Sequence, residues 1–280
     1  MQNLLRRKMA VRLNRKGLRR GVVFCFCLCL FACTDQSKID SLFRKADSAK
    51  IKGAHQEAID AYKKIISIDS LSPSARIAYL ESGDVYYYGM KNLPAALMIY
   101  KNLVENAPTQ SKEAFQAQKR LAEIYRLHTQ DYRKALPLYQ SLINHPAADP
   151  KEIPDLQMLL ADAYFSADEF EQARLEYSKF IEDFSHDPKV ERASFQVAET
   201  YYMENQCLLA IRAYEQMLKN FPKSEFGVRA RFGIANCQEE QGQLKEALKT
   251  YESLQTDYPN KNVITIKIKN LNNRIRQTPG

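Results

Sequence analysis

The side chains of this 280-residue chain that could do chemistry are four histidines, six cysteines and 33 carboxylates. Their spacing builds no reaction centre. His55, His128, His145 and His186 are scattered, and none stands at ligand spacing from another. A zinc site needs about four such ligands, so these read as solvated turn histidines. Cys25, Cys27, Cys29 and Cys33 crowd the N-terminus, leaving only Cys207 and Cys237 further on. Two cysteines make no zinc site, and spacing does not say whether they pair. A bridge and two free, buried thiols both stay open. There is no GxxxxGK[ST] loop, no HExxH, no GxSxG and no GxGxxG. The abundant carboxylates single out no acid–base pair and read as solvated helix faces. The expectation is a protein that is not an enzyme, with no catalytic residue, no metal and no small-molecule substrate.

Cys33 is the exception, because of what precedes it. Residues 1–32 hold eight Lys or Arg and no acid, while the rest of the chain balances 33 basic against 33 acidic side chains. The formal charge of +8 therefore belongs to the N-terminus. A nucleic-acid partner, which the overall charge would suggest, is not expected. After Arg20 comes the uncharged apolar run Gly21 to Ala32, about half the ~20 residues that span a bilayer. A basic segment followed by a short apolar one is the pattern of an export signal. The run ends Leu30-Phe31-Ala32-Cys33, which resembles the lipobox of bacterial lipoproteins. The resemblance implies cleavage before Cys33, a diacylglycerol thioether on its sulfur and an acylated new N-terminus. That covalent lipid is the only non-protein group expected. Two or more acyl chains hold a protein firmly to a bilayer. Thr34 stands where an aspartate would retain such a lipoprotein at the inner membrane, so the resemblance implies the periplasmic face of the outer membrane. Met9 is an alternative start to Met1.

The rest of the chain repeats. An alanine followed four residues later by tyrosine recurs as Ala58/Tyr62, Ala96/Tyr100, Ala135/Tyr139, Ala173/Tyr177, Ala210/Tyr214 and Ala247/Tyr251. The tyrosines are 38, 39, 38, 37 and 37 residues apart, a period that signals a solenoid. Three residues beyond each sits Ile65, Leu103, Leu142, Phe180, Met217 or Leu254. Positions i, i+4 and i+7 share a helix face, which defines a helix B. Upstream, a small residue with a tyrosine three later marks a helix A: Gly83/Tyr86, Ala122/Tyr125, Ala161/Tyr164 and Ala198/Tyr201, with Ala46 and Ala235 alone in the first and last copies. Pro108, Pro222 and Pro259 follow the B helices and stop them. This order of small residue, tyrosine, alanine, aromatic and proline resembles the tetratricopeptide repeat. The expected fold is all-α: a superhelical solenoid of about six hairpins plus a C-terminal capping helix. The expected organisation is a signal at 1–32, a lipidated cysteine and tether at 33–38, six repeats at 39–262 and the cap and tail at 263–280.

In proteins with such repeats the docking groove is lined by helix A. The resemblance places groove positions six and three residues before the small residue and one, four and five after it. One residue after it stand Asp47, Asp84, Glu123, Asp162 and Glu199, then Asn236. Around this acidic row come Leu80, Met158, Phe195 and Phe232 at the earlier positions, and Tyr87, Tyr88, Phe165, Tyr202 and Met203 at the later ones. Phe43 and Lys119 share the earlier position, and Arg126, Arg192 and Arg229 also map near the groove. Aligned like charges repel, so an acidic ladder flanked by aromatics and methionines suits a basic, partly apolar peptide or helix. Two other readings stand beside it. The apolar residues could fill the inside of a tight superhelix, and the arginines could pair with the ladder and blunt its field.

The period exceeds the usual ~34, and joints such as Phe221-Pro222-Lys223-Ser224 recur. Elongated repeats with this joint resemble outer-membrane lipoproteins of the β-barrel assembly machine (the BamD type) and Tol–Pal-associated coordinator proteins. A six-repeat lipoprotein also resembles the pilotins that place type IV pilus secretins. The resemblance implies a membrane-anchored periplasmic scaffold that binds protein partners in envelope biogenesis, foremost in β-barrel assembly.

Overall fold

The apolar stripe that recurs in the sequence is what the helices bury. A computed structural model describes residues 35–277, and every regular element among them is helical. The expected signal at 1–32 and Cys33 lie outside the described residues. Thirteen helices follow one another: α1 (35–51), α2 (His55–Ile68), α3 (Pro73–Asp84), α4 (Leu93–Asn106), α5 (Lys112–Leu127), α6 (Tyr132–Ile143), α7 (Ile153–Ser166), α8 (Phe170–Asp183), α9 (Val190–Met203), α10 (Cys207–Asn220), α11 (Gly227–Glu240), α12 (Leu244–Glu252) and α13 (Lys261–Gln277). Odd-numbered helices up to α11 are the A helices and even-numbered ones the B helices. Of the segment expected as a tether, 33–38, the described residues 35–38 are helical.

The chain divides into two compact units, one ending at Ala117 and one starting at Gln118. In the first, Ala46, Ala58, Ile59, Tyr62 and Ile65 pack in one buried cluster with Ala78 and Val85. In the second, three such clusters follow one another. Their centres are Tyr177 with Phe180, Tyr214 with Phe195, and Tyr251 with Leu254. All six B-helix tyrosines are buried, as are the small residues of the A helices. A hairpin alone would leave this stripe in water, so each must stack on a neighbour.

Each A helix turns into its B helix through one residue in the left-handed region: Gly53, Lys91, Gln130, Asp168, Asn205 and Gly242. These residues keep the repeat period. Four of the six are not glycine, so glycine content understates the turns. A Schellman-type bond closes the turn: the N–H of Glu169 donates to the Tyr164 carbonyl at 3.0 Å, and that of Gln206 to Tyr201 at 2.9 Å. In the third repeat the bond runs one residue further, from Asp131 to Tyr125 at 2.9 Å, and so it does in the second, from Asn92 to Tyr86 at 2.8 Å. There α3 passes into a π-helical turn, Val85–Gly89, which absorbs an extra residue. Asn92 then caps α4, its side chain accepting from the Ala95 N–H at 3.2 Å.

Gly83 occupies the place that is alanine in the other five repeats. A Cβ there would stand 2.3 Å from Cε1 of Tyr100. That ring is fully buried, and its hydroxyl is held by Asp84 at 2.6 Å, so it has no room to retreat. Gly83→Ala should therefore destabilise the protein despite alanine's better helix propensity, by about 1–3 kcal/mol of overpacking less about 1 kcal/mol of propensity. Urea titration reads this directly. A midpoint equal to or above wild type would show that the ring can shift freely.

Candidate functional site

The acidic row has a partner that the sequence reading did not assign. Tyr100 donates its hydroxyl to Asp84 Oδ1 at 2.6 Å, Tyr177 to Asp162 Oδ1 at 2.7 Å, and Tyr214 to Glu199. Tyr251 donates to Asn236 Oδ1 at 2.6 Å, so the one neutral member does the same work. The residue after the small one on helix A is thus the acceptor for the phenol of helix B. A buried hydroxyl without an acceptor costs roughly 1–3 kcal/mol, which explains why this position is polar. Burial first, and the adjacent carboxylate second, raise the pKa of Tyr177, Tyr214 and Tyr251 well above the ordinary phenol range. A sequence signal existed: an acid or amide stands 15 or 16 residues before every B-helix tyrosine.

The first and third repeats vary the arrangement. Asp47 is exposed, and the Tyr62 pKa is raised by burial, then by Glu81 and Asp47. Glu123 pairs loosely with Arg120 at 3.8 Å, while Arg126 donates its Nε–H to the Tyr139 hydroxyl at 3.2 Å.

Three proposed groove residues belong to the core instead. Met158, Phe195 and Tyr87 are 2%, 1% and 9% exposed. Phe195 stacks on Phe226 at 5.2 Å between ring centroids and also meets Tyr214. The π-helical turn rotates Tyr87 inward and leaves Tyr88 47% exposed. Leu80, Phe165, Tyr202 and Phe232 are half-buried, and Met203 is exposed. Phe232 stacks on Tyr258 and meets Tyr251 edge-on. Three of the nine apolar residues expected in the groove are thus core, and in the second unit Phe165, Tyr202 and Met203 keep exposed surface.

Of these three only Phe165 borders a cleft of about 370 Å³ in the second unit, lined also by Arg126, Tyr132, Asp162, Arg192 and Gln196 among others. Arg192 reaches from the next repeat to grip both oxygens of Asp162, at 2.7 and 2.8 Å. Gln196 donates to the Tyr177 hydroxyl at 3.2 Å. One terminal guanidinium nitrogen lies across both oxygens, a charge-assisted contact that ties α9 to α7 at the floor of the cleft. Its charge is mixed: Asp162 is answered by Arg192, and Arg126 adds a second guanidinium. Arg229 lies over the Phe195 ring at 4.6 Å, and Lys119 bonds Glu152 at 3.0 Å. Arg192 thus offsets the charge of Asp162, while Arg126 and Arg229 are engaged with Tyr139 and Phe195.

The remaining candidates for chemistry are quiet. Cys207 and Cys237 are free, buried thiols. His145 is buried rather than solvated, its Nδ1 accepting the Ala147 N–H at 3.0 Å. His55 packs against Gly89, where a Cβ would come within 2.7 Å of its ring. Among the described residues no three His, Cys, Asp or Glu are placed to hold a metal ion, and no helix is long and apolar enough to cross a membrane.

Comparison with known proteins agrees with this geometry. The tetratricopeptide repeat family profile matches residues 192–224 and 229–261, the span from α9 to the joint after α12. A search of curated protein sequences gave no match. Among solved structures, a chain of the Naa15/Naa10 complex bound to HypK-THB superposes with a TM-score of 0.67 at 18% identity, over 86% of this chain and 35% of that one. A tetratricopeptide repeat protein from Parabacteroides merdae superposes at 0.51 and 15% identity, over 86% and 88% of the two chains. YrrB, described as a tetratricopeptide protein with an unusual peptide-binding site, superposes at 0.52 and 15% identity, over 76% and 100%. These likenesses carry the fold.

Proposed function

From a chain built of tetratricopeptide repeats we infer a non-enzymatic scaffold that holds a polypeptide segment of a partner protein. The observation that carries this is the cleft at Asp162: a solvent-open floor with a paired Arg192, a second guanidinium from Arg126 and the aromatic edges of Phe165 and Tyr132. It offers a peptide charge, hydrogen bonds and ring faces together, without any group that would break or form a bond. Its mixed charge changes the expected ligand. A uniformly basic segment would meet two arginines here, so the segment that fits combines apolar side chains with both charge signs. Repeats of this type are protein-interaction modules, which supports the reading.

The cellular setting comes from the sequence. The basic and apolar segments before Leu30-Phe31-Ala32-Cys33 support a lipid-anchored protein at the periplasmic face of the outer membrane. The long period and the Phe-Pro-Lys-Ser joint support a role in envelope biogenesis, foremost in outer-membrane β-barrel assembly. A pilotin for a secretin or type IV pilus, or a Tol–Pal-type coordinator, is the alternative, favoured by the count of six regular repeats. A pull-down of the tagged full-length protein from native membranes in mild detergent, read by mass spectrometry, separates them. A barrel-assembly protein with periplasmic domains is the expected companion, and a secretin or pilus proteins would move the assignment to the pilotin. Arg126→Glu with Phe165→Ala should lose that companion while keeping the helical content. Retention of the companion by this double variant would place the docking surface elsewhere.

A further inference from the structure

Cys207 and Cys237 serve neither the cleft nor the repeat framework. Cys207 is the first residue of α10, and Cys237 lies in the second half of α11. Both sit in one cluster with Phe195, Tyr214 and Ile234. Cys207 donates to Glu240 Oε2 at 3.0 Å, and Glu240 stands one helical turn beyond Cys237 on α11, so both thiols lie at the same α10–α11 contact. They differ in access. Cys207 lines a solvent-open cleft of about 430 Å³ beside Gln206, Leu208 and Gln241. Cys237 is fully buried behind it. A reagent in solution therefore meets Cys207 first.

We propose that Cys207 and Cys237 are a dithiol that closes to a disulfide, tying helix B of the fifth repeat to helix A of the sixth. The co-reactant is a low-molecular-weight disulfide. Cys207 loses its proton to solvent, against the Glu240 carboxylate beside it, and the thiolate attacks one sulfur of the co-reactant. That S–S bond breaks, one small thiolate leaves and is protonated, and a mixed disulfide stands on Cys207. The Cys237 sulfur, deprotonated in turn, attacks the Cys207 sulfur, the mixed bond breaks and the second small thiol departs. Two protein thiols have lost two electrons and two protons. One small disulfide has gained them as two thiols. Burial pushes both thiols up, Cys237 strongly. Such thiols attack slowly and leave slowly, so the bridge forms gradually and resists reopening, as a staple does.

The test equilibrates the reduced, purified full-length protein with oxidised glutathione, quenches in acid, alkylates and digests with trypsin. The expected product joins peptide Ala193–Arg212 to peptide Phe232–Lys245 and disappears on reduction. The bridged protein should unfold at a temperature higher by on the order of 5–10 °C. Cys237→Ser should stop at the glutathione adduct on Cys207, and Cys207→Ser should leave Cys237 unreactive until the protein is denatured. Recovery of both wild-type residues as alkylated free thiols would overturn the proposal, as would glutathione retained on Cys207 without transfer. A bridged form that unfolds no higher than the reduced one would overturn the staple.

Discussion

Truncating Tyr177 to alanine will cost the second unit about 3–5 kcal/mol, the range for removing a large buried aromatic. The ring is fully buried between Ala161, Ala173 and Phe180, and no neighbour can fill the space without leaving its own helix. The hydroxyl accounts for a smaller share. Tyr177→Phe should cost about 1 kcal/mol, because Asp162 keeps both bonds from Arg192. The fifth repeat supplies the contrast. Tyr214→Phe removes the phenol from Glu199, a half-buried carboxylate without an arginine nitrogen across both oxygens like that on Asp162. Its cost should exceed that of Tyr177→Phe by about 1 kcal/mol, the penalty for a less well-paired polar group. Equilibrium urea unfolding of the three variants gives the order. Equal midpoints for the two phenylalanine variants would show that the acidic row is not there to hold the phenols, and would return it to the groove as a ligand-facing ladder.

Cys33→Ser should move the protein from the membrane pellet to the soluble fraction almost completely. Each buried methylene of an acyl chain contributes about 0.8 kcal/mol of membrane affinity, and two or more chains make release negligible on the time of a fractionation. Without the thiol no thioether can form, and the apolar run Gly21 to Ala32 is too short to span a bilayer as a helix. Since α1 is already helical at residue 35, the first repeat would sit directly at the lipid surface in the anchored protein. The readout is an immunoblot of pellet and supernatant after a carbonate wash. A variant that stays in the pellet removes the lipid anchor from the functional reading, and leaves the cleft and its peptide untouched.

The sequence by itself determined the helices, their pairing into hairpins and the core positions of helix B. Those follow from spacing within one helix: Ala173, Tyr177 and Phe180 must share a face wherever the helix goes, and six copies at one period must stack to bury that face. The tertiary structure decided the duties of helix A. Whether Asp162 faces a ligand or a phenol depends on where Tyr177 and Arg192 arrive, from the following helix and from the next repeat. Whether Phe195 lines a groove or the core depends on Phe226 closing over it. The inward turn of Tyr87 goes with a π-helical turn; spacing shows the extra residue there, 16 residues from Asp84 to Tyr100, but the third repeat has the same spacing without that turn. The turns between helices were half hidden for the same reason, since Lys91, Gln130, Asp168 and Asn205 accept a left-handed backbone that neighbouring capping bonds impose. Periodicity fixes which residues share a face. Only the packed neighbours fix what that face meets.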